Sequence, residues 1–259
     1  MATERLLILG GTAEAAALAH AVLARFGDAI DVTTCLAGRT ERPNPLPGRL
    51  RIGGFGGPAG LAAYLIEHEF DRLIDATHPF AARISAAARL ACEETGVPRL
   101  MLLRPPWRRQ PSDRWIEVDD MAAAAAVVGR IGRHAFLTVG AGEIACFAAV
   151  EDVRFVVRVI DPPRRPLPLR CCRVIVGRGP FILVEERRRL EDHAIDVLVC
   201  KASGGAATEA KIMAARELGL PVVMVRRPPR EPGEAVETVA AALDWLAHAR
   251  QRWQTEGVS

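Results

Sequence analysis

The sequence contains few of the features that mark several large protein classes. Its six cysteines show no C-x-x-C spacing and no nearby pair of histidines, which argues against a zinc site and a disulfide framework. We therefore expect the cysteines to be small buried side chains in a reducing compartment. No apolar run is long enough to cross a bilayer, and no signal-type segment opens the chain, so we expect a cytoplasmic protein.

The sequence also lacks the motifs of several catalytic classes. It contains no G-x-S-x-G, no Walker loop and no H-E-x-x-H, so we expect neither a covalent-nucleophile hydrolase nor a metal site. The net charge of +3 is too small to indicate a nucleic-acid partner. The arginines nevertheless cluster in predicted loops, where they are either solvated loop ends or donors to an anionic ligand.

Short apolar segments alternate with alanine-rich segments along almost the whole chain of 259 residues. The apolar segments predict strands that are buried on both faces, as in a parallel sheet covered by helices. The predicted strands are 5–9, 30–36, 73–75, 99–103, 135–139, 154–159, 173–176, 197–200 and 221–225. The predicted helices are 13–25, 58–67, 81–95, 121–130, 143–149, 181–193, 207–218 and 235–251. This alternation predicts an α/β fold with doubly wound parallel sheets.

Two segments of the chain follow the same pattern. ISAAARLACEETGVPRLMLLRPPW (84–107) and AKIMAARELGLPVVMVRRPP (210–229) each predict a helix, a glycine stop and a buried strand followed by Arg and two Pro. The glycine stops, Gly96 and Gly219, are 123 residues apart, and the same offset aligns His78 with Lys201. Shared composition is one explanation. The other is two Rossmann-like halves, 1–130 and 131–259, that face each other across an interdomain cleft.

The first predicted strand leads into Gly10, Gly11 and Thr12. Two glycines let the backbone approach a phosphate, and Thr12 could cap the next helix or donate to a phosphate oxygen. The second strand carries no acid for the ribose 2′-hydroxyl of NAD, and Arg39 follows it. Arginine suits a 2′-phosphate, so NADPH is favoured, although a packing turn and a surface arginine are the alternatives.

Further candidate residues follow other predicted strands. Gly53, Gly54, Phe55, Gly56 and Gly57 form a loop that either closes over a ring or phosphate or is a flexible connection. DATHPFA supplies Thr77 and His78, and this histidine is a proton donor, a carboxylate ligand or a structural cap. In CKASGGAATEAK, the lysine and glycines suit an anion, with a solvated loop lysine as the alternative; its candidates are Lys201, Ser203, Gly204, Gly205, Thr208 and Lys211.

In their order along the chain, the motifs GGTAE, AGR, GGFGG, DATHPFA, RPPW and KASGG resemble those of the precorrin-6A reductase family of cobalamin biosynthesis. GGFGG followed by DATHPFA is the most specific part, and the resemblance extends over nearly the whole chain. It implies two Rossmann-like halves and an NADPH-dependent reductase. The implied reaction transfers hydride to C19 and a proton to C18 of precorrin-6A, which gives precorrin-6B.

The resemblance also suggests roles for the candidate residues. Gly10, Gly11, Thr12 and Arg39 are assigned to the NADPH phosphates, with residues 53–57 and Thr77 closing around the cofactor. The substrate is a polycarboxylate tetrapyrrole, which gives the basic loop residues an anionic partner. Lys201 and His78 are the catalytic candidates for proton delivery. The substrate-binding candidates are Arg104, Ser203, Gly204, Gly205, Thr208 and Lys211.

Three other functions stay open at this point. One is reduction of the cobalt-containing substrate of the anaerobic route, in which the metal belongs to the substrate. The second is an NADP-binding module without catalysis. The third is a transferase with a nucleotide-activated donor, which the lack of an acidic base near the first loop disfavours. We expect a monomer without nucleic-acid or membrane partners.

Overall fold

The computed structural model describes residues 3–38 and 45–256. The strands are β1 (Glu4–Leu9), β2 (Ile30–Leu36), β3 (Arg49–Ile52), β4 (Arg72–Asp75), β5 (Arg99–Leu102), β6 (Arg114–Val118), β7 (His134–Leu137), β8 (Arg154–Val159), β9 (Cys172–Val176), β10 (Val197–Lys201), β11 (Pro221–Val225) and β12 (Ala235–Val236). The α-helices are α1 (Ala13–Phe26), α2 (Pro58–Glu67), α3 (Ala82–Thr95), α4 (Met121–Ile131), α5 (Leu183–Asp192), α6 (Ala210–Glu217) and α7 (Val239–Glu256). Short 3₁₀ helices lie at Gly27–Ala29, Ala141–Phe147 and Ala206–Thr208.

The strands form two six-stranded sheets that share the order of five of their strands. The orders are β12-β5-β4-β1-β2-β3 and β6-β11-β10-β7-β8-β9, and the neighbouring strands in both are parallel. Read from β3, the first sheet has the 3-2-1-4-5-6 order of a dinucleotide-binding fold, with a switch point between its first and fourth strands. The second sheet repeats this order from β7 to β11, but its sixth position is taken by β6, which precedes those strands in the chain. The two switch points lie between β1 and β4 and between β7 and β10. The predicted fold of two doubly wound α/β halves is confirmed.

The chain crosses between the two sheets twice. It forms a first unit from Met1–Pro105 and Pro228–Ser259 and a second unit from Pro106–Arg227. The strand after β5 is β6, which joins β11 of the second sheet, and the strand after β11 is β12, which joins β5 of the first. Because β6 pairs with β11, the second unit begins before β6, near residue 106. The boundary predicted near residue 130 therefore lies inside the second unit, within α4.

The predicted elements agree with the structure except at the sheet edges. All nine predicted strands are present with ends within two residues. The segments β3, β6 and β12 were not predicted, because they are edge strands with partly exposed side chains. The helix predicted over 143–149 is the 3₁₀ helix Ala141–Phe147, and the one predicted from 235 begins at Val239, since β12 takes up the start of that segment.

The central strands are apolar because helices cover both of their faces. In β1, Leu6 and Ile8 pack into a cluster that includes residues of α1 and α7. The alternate residues Leu7 and Leu9 pack into another cluster that includes residues of α2 and α3. Complete burial of one such side chain contributes about 1.5–3 kcal/mol, so this layered packing is a main source of the first unit's stability.

Only some of the cysteines match the expected burial. Cys35, Cys92 and Cys200 are buried, and burial raises the pKa of each thiol to about 11, so they stay protonated at neutral pH. Cys146, Cys171 and Cys172 are exposed, which contradicts the prediction for these three. The last two adjoin or begin the edge strand β9, which lacks a neighbour on one side.

A close backbone contact fixes the glycine loop 53–57 to the helix that follows it. A Cβ atom on Gly60, in the first turn of α2, would lie 1.8 Å from the carbonyl oxygen of Phe55. No atom lies within 4 Å of a Cβ atom built on Gly54. The loop and the first turn of α2 thus approach each other at a distance that only glycine permits at position 60.

We predict that Gly60→Ala lowers the free energy of unfolding by about 1–3 kcal/mol, the usual cost of overpacking. This cost outweighs the gain of up to about 1 kcal/mol that alanine brings to a helix interior. The matched control Gly54→Ala should change the free energy of unfolding by no more than about 0.5 kcal/mol. Urea unfolding of both variants measures the difference, and equal midpoints would contradict the contact.

Candidate active site

The loops after β1 and β4 flank the switch point of the first sheet, where open parallel sheets bind their ligands. Residues 10–12 follow β1 and residues 76–78 follow β4. The Thr12 hydroxyl donates a hydrogen bond of 2.7 Å to the Ala76 carbonyl oxygen. The Ala76 N–H donates to the Leu9 carbonyl oxygen at 2.9 Å. The structure therefore brings the two predicted loops together at one edge of the sheet.

Two glycines shape the turn that leads into α1. Gly11 has a backbone φ of +102°, which residues with a side chain rarely adopt. A Cβ atom on Gly10 would lie 3.0 Å from the Cγ2 atom of Thr34. Thr12 is the N-cap of α1, and its Oγ1 accepts the Ala15 N–H at 3.1 Å. The Thr12 side chain therefore caps the helix, which was one of its two predicted roles. A phosphate contact of residues 10–12 stays a prediction.

An ion pair neutralises the acidic side chain beside this turn. Glu14 lies in the first turn of α1, and its Oε2 atom is 3.0 Å from Nη1 of Arg104, which follows β5. The Arg104 side chain is 11% exposed. Pairing reduces the repulsion that a lone carboxylate would exert on an anion at the helix N-terminus. Arg104, a predicted substrate ligand, thus has a carboxylate partner within its own unit.

Buried Asp75 orders the loop after β4. Its Oδ1 atom accepts the Thr77 N–H at 3.1 Å and the Thr77 hydroxyl at 2.6 Å. His78 accepts the Phe80 N–H on Nδ1 at 3.2 Å. In a neutral imidazole this hydrogen bond assigns the proton to Nε2. The loop therefore holds Thr77 and His78 in defined conformations, and the His78 ring retains an Nε2–H donor.

The loop 53–57 is held by an arginine that the sequence analysis did not identify. Arg51 donates to the carbonyl oxygens of Gly53 at 2.9 Å and Gly54 at 3.0 Å. Its guanidinium lies 4.1 Å from the ring centroid of Phe55, and that ring packs 5.3 Å from the ring of Tyr64. A contact of Phe55 with a cofactor stays a prediction. Arg39 lies outside the described residues.

At the switch point of the second sheet, a lysine and a glutamate form an ion pair. Lys201 is the last residue of β10, and its Nζ atom is 2.5 Å from Oε1 of Glu143. The other carboxylate oxygen, Oε2, accepts the Gly140 N–H at 3.0 Å. The Lys201 side chain is 17% exposed and the Glu143 side chain 33%. The ammonium predicted as a catalytic group is therefore held between two loops of this unit.

The glycine loop after Lys201 is fixed through its carbonyl oxygens. Arg227 donates to the Ala202 oxygen at 2.6 Å and to the Ser203 oxygen at 2.9 Å. The indole N–H of Trp107 donates to the Gly205 oxygen at 3.0 Å. These bonds hold the backbone of Ser203, Gly204 and Gly205 in place, so the predicted anion-binding loop does not depend on a ligand for its shape.

The two remaining candidates lie just beyond this loop. Thr208 ends the 3₁₀ helix Ala206–Thr208 and is half-buried. Lys211 is 4% exposed, and its Nζ atom lies 5.3 Å from the ring centroid of Trp107, which suits a cation–π contact. This depth of burial favours a packing role for Lys211 over the predicted direct contact with substrate.

Sequence reasoning missed four residues that organise the candidate site. Glu143 stands in GAGE, a segment to which the sequence analysis assigned no site, and Trp107 stands in RPPW, used only for the internal similarity and the family resemblance. Arg51 precedes the glycine loop 53–57 and Arg227 lies in the basic segment after β11, and neither carries a signal that separates it from other arginines. Their roles depend on partners that folding brings close, so residue type and spacing alone do not reveal them.

The described part of the chain contains neither a metal-binding cluster nor a membrane-spanning helix. Within residues 3–38 and 45–256, no group of three or more His, Cys, Asp or Glu side chains could hold a metal ion. No helix in this described part of the chain is long and apolar enough to span a bilayer.

Comparison with known proteins reveals close similarity along nearly the whole chain. Residues 5–247 match the family described as precorrin-6x reductase CbiJ/CobK. Precorrin-6A reductase of Rhodococcus erythropolis is 43% identical over 249 residues, covering 96% of this chain and 99% of the relative. Precorrin-6A reductase of Rhodobacter capsulatus is 42% identical over 243 residues, covering 94% and 96%. Cobalt-precorrin-6A reductase of Priestia megaterium is 29% identical over 258 residues, covering 94% and 97%.

The fold agrees with the same assignment. The solved structure of CobK precorrin-6A reductase superposes with a TM-score of 0.90 at 42% sequence identity, covering 95% of this chain and 97% of that one. The match in sequence extends through both sheets, including the loops at both switch points. The chain belongs to the precorrin-6x reductase CbiJ/CobK family.

Proposed function

We propose that this protein reduces a ring double bond of precorrin-6A with NADPH, as part of cobalamin biosynthesis. The observation that supports the cofactor assignment is the contrast between two switch points of equal topology. In the first, Gly10 and Gly11 open a turn at the N-terminus of the 14-residue helix α1. In the second, the Glu143 carboxylate already binds the Gly140 N–H. That N–H is therefore already occupied and does not serve a phosphate, so the nucleotide binds to the first unit.

The residues around the first turn fit a dinucleotide. The first N–H groups of α1 have no acceptor within the helix, and its macrodipole favours an anion at that end. The close approach of Gly10 to Thr34 leaves little room for a side chain at position 10. The backbone of residues 10–12 therefore binds the pyrophosphate, and Arg39 binds the 2′-phosphate. Bound NADPH supplies the hydride that adds to C19.

Lys201 supplies the proton that adds to C18. Lysine occurs only at positions 201 and 211 among 34 basic residues. Arginine stays protonated in proteins, whereas a lysine ammonium can release a proton to a substrate atom. After the double bond has received one hydride and one proton, the neutral amine regains its proton from water. His78 is the second candidate donor and would act in its protonated, imidazolium form.

The loops after Lys201 suit the other groups of the substrate. Precorrin-6A carries acetate and propionate carboxylates, which bind charge-assisted donors and backbone N–H groups strongly. The loop 203–205 keeps its conformation through Arg227 and Trp107, so it can bind a carboxylate without first becoming ordered. The relatives that act on precorrin-6A are more similar to this chain than the cobalt-precorrin-6A reductase is, which favours the cobalt-free substrate.

We predict that the purified protein consumes NADPH when precorrin-6A is added, and more slowly when cobalt-precorrin-6A is added. Loss of NADPH absorbance and the mass of the product measure this reaction. Calorimetry with NADPH, NADH and a nucleotide sugar separates the alternatives. Tight NADPH binding without turnover would indicate a non-catalytic module, and preferred binding of the nucleotide sugar would indicate a transferase.

We predict that Arg39→Ala raises the Kd for NADPH roughly ten- to hundredfold, because it removes a charge-assisted hydrogen bond to the 2′-phosphate. The Kd for NADH, which has no such phosphate, should change by no more than about twofold. Calorimetry of the wild-type protein and of Arg39→Ala with both nucleotides tests this prediction. An equal loss of affinity for NADPH and NADH would contradict the assignment of Arg39.

We predict that Lys201→Arg lowers kcat by about 10²–10⁴-fold, the usual contribution of a general acid. The KM for precorrin-6A should stay within about threefold, because the arginine keeps the positive charge. Steady-state kinetics with saturating NADPH measures both constants, and His78→Gln is the comparison. Normal kcat in Lys201→Arg with a large loss in His78→Gln would transfer the role of donor to His78.

A further inference from the structure

We propose that Glu143 is a positioning residue that holds the Lys201 ammonium ready for proton transfer. This inference rests on the proposed role of Lys201 as the proton donor. It concerns a residue of the motif GAGE whose side chain has no part in binding the nucleotide. Its carboxylate makes two separate contacts, and the segment that carries it is anchored in the core.

The two oxygens of Glu143 have different partners. Oε2 accepts the Gly140 N–H at 3.0 Å, which fixes the carboxylate to the backbone after β7. Oε1 lies 2.5 Å from Nζ of Lys201 at the end of β10. β7 and β10 are hydrogen-bonded neighbours, so the ion pair joins two adjacent strand ends. Because one oxygen of the Glu143 carboxylate is bound to the backbone, the other oxygen holds the Lys201 ammonium in a fixed position.

The segment that carries Glu143 is anchored in the core. Glu143 lies in the 3₁₀ helix Ala141–Phe147, and the side chains of Ile144 and Phe147 in this helix are fully buried. Phe147 also packs 6.0 Å from the ring of Phe155 in β8. The carboxylate therefore projects from a fixed base. This differs from exposed ion pairs between two mobile side chains, whose net contribution is small.

Positioning matters for this donor because the lysine side chain is long. A free lysine populates many rotamers, and ordering it during the reaction would add to the barrier. An ammonium that is fixed before substrate binds avoids this cost, and a misplacement of about 1 Å can reduce turnover by about 10²-fold. The second switch point, which is closed to nucleotide, thus serves to present a proton donor.

The test compares Glu143→Gln with Glu143→Asp and the control Glu151→Gln. Glutamine keeps an oxygen for the Gly140 N–H but loses the charge that holds Lys201, and aspartate keeps the charge on a shorter side chain. Glu151 pairs with Arg170 at an exposed position of the same unit, so its replacement by glutamine makes the same chemical change elsewhere. These variants separate the ion pair from a general effect of charge.

The first measurement is NMR of protein labelled with ¹³Cε-lysine, which requires no substrate. Only two side-chain signals arise, and Lys201→Arg assigns them by removing one. In Glu143→Gln we expect the Lys201 signal to shift and the Lys211 signal to stay, with no change of either in Glu151→Gln. An unshifted Lys201 signal in both Glu143 variants would overturn the inference.

The second measurement is turnover of precorrin-6A. We expect kcat of Glu143→Gln to fall about ten- to hundredfold with KM nearly unchanged, and Glu143→Asp to recover part of the loss. A shifted Lys201 signal with normal kcat would overturn the positioning role alone. A wild-type protein that consumes no NADPH would overturn the proposed function, whatever the NMR signals show. If Glu143→Gln fails to fold, Glu143→Asp supplies both readouts.

Discussion

Parallel strand pairing is the constraint on which the arrangement of this protein depends. Every neighbouring pair in the two sheets runs in the same direction, so all carboxyl ends of a sheet lie on one edge. The central strands are covered by helices and are therefore almost entirely apolar. Polar chemistry is thus confined to the loops that leave this edge. The switch points, where neighbouring loops diverge, are where such loops leave space for a ligand.

The switch points of the two sheets differ in their charged groups. The first switch point has a capped helix N-terminus, an acid neutralised by Arg104 and two glycines that permit close approach of an anion. At the second switch point, a 3₁₀ helix follows the strand in place of an α-helix. The carboxylate of Glu143 in this 3₁₀ helix accepts the backbone N–H of Gly140. One half therefore suits a phosphate, and the other presents a cation. Two copies of one fold can thus differ in the charge of their switch points while the order of their central strands stays the same.

Prediction from the sequence succeeded where the signal is local. Apolar runs identified the central strands, and the candidate glycines, Thr77, His78 and Lys201 lie where those strands end, as their motifs predicted. The roles of these residues stay predictions. Prediction failed where pairing is distant: β6 joins the second sheet through Trp115 and Ile116 beside Val222 and Val223, so the boundary near 130 was wrong. The partner of Lys201 and the burial of Lys211 likewise depend on residues remote in sequence.

The exchange of edge strands has a consequence for synthesis on the ribosome. The first sheet obtains its sixth strand, β12, only after the whole second unit has been translated, and α7, which packs beside α1, emerges later still. The second unit is contiguous from Pro106 to Arg227 and can close as soon as it leaves the exit tunnel. The half that begins the chain is therefore the last to be completed, which leaves an open strand edge on the nascent protein throughout elongation.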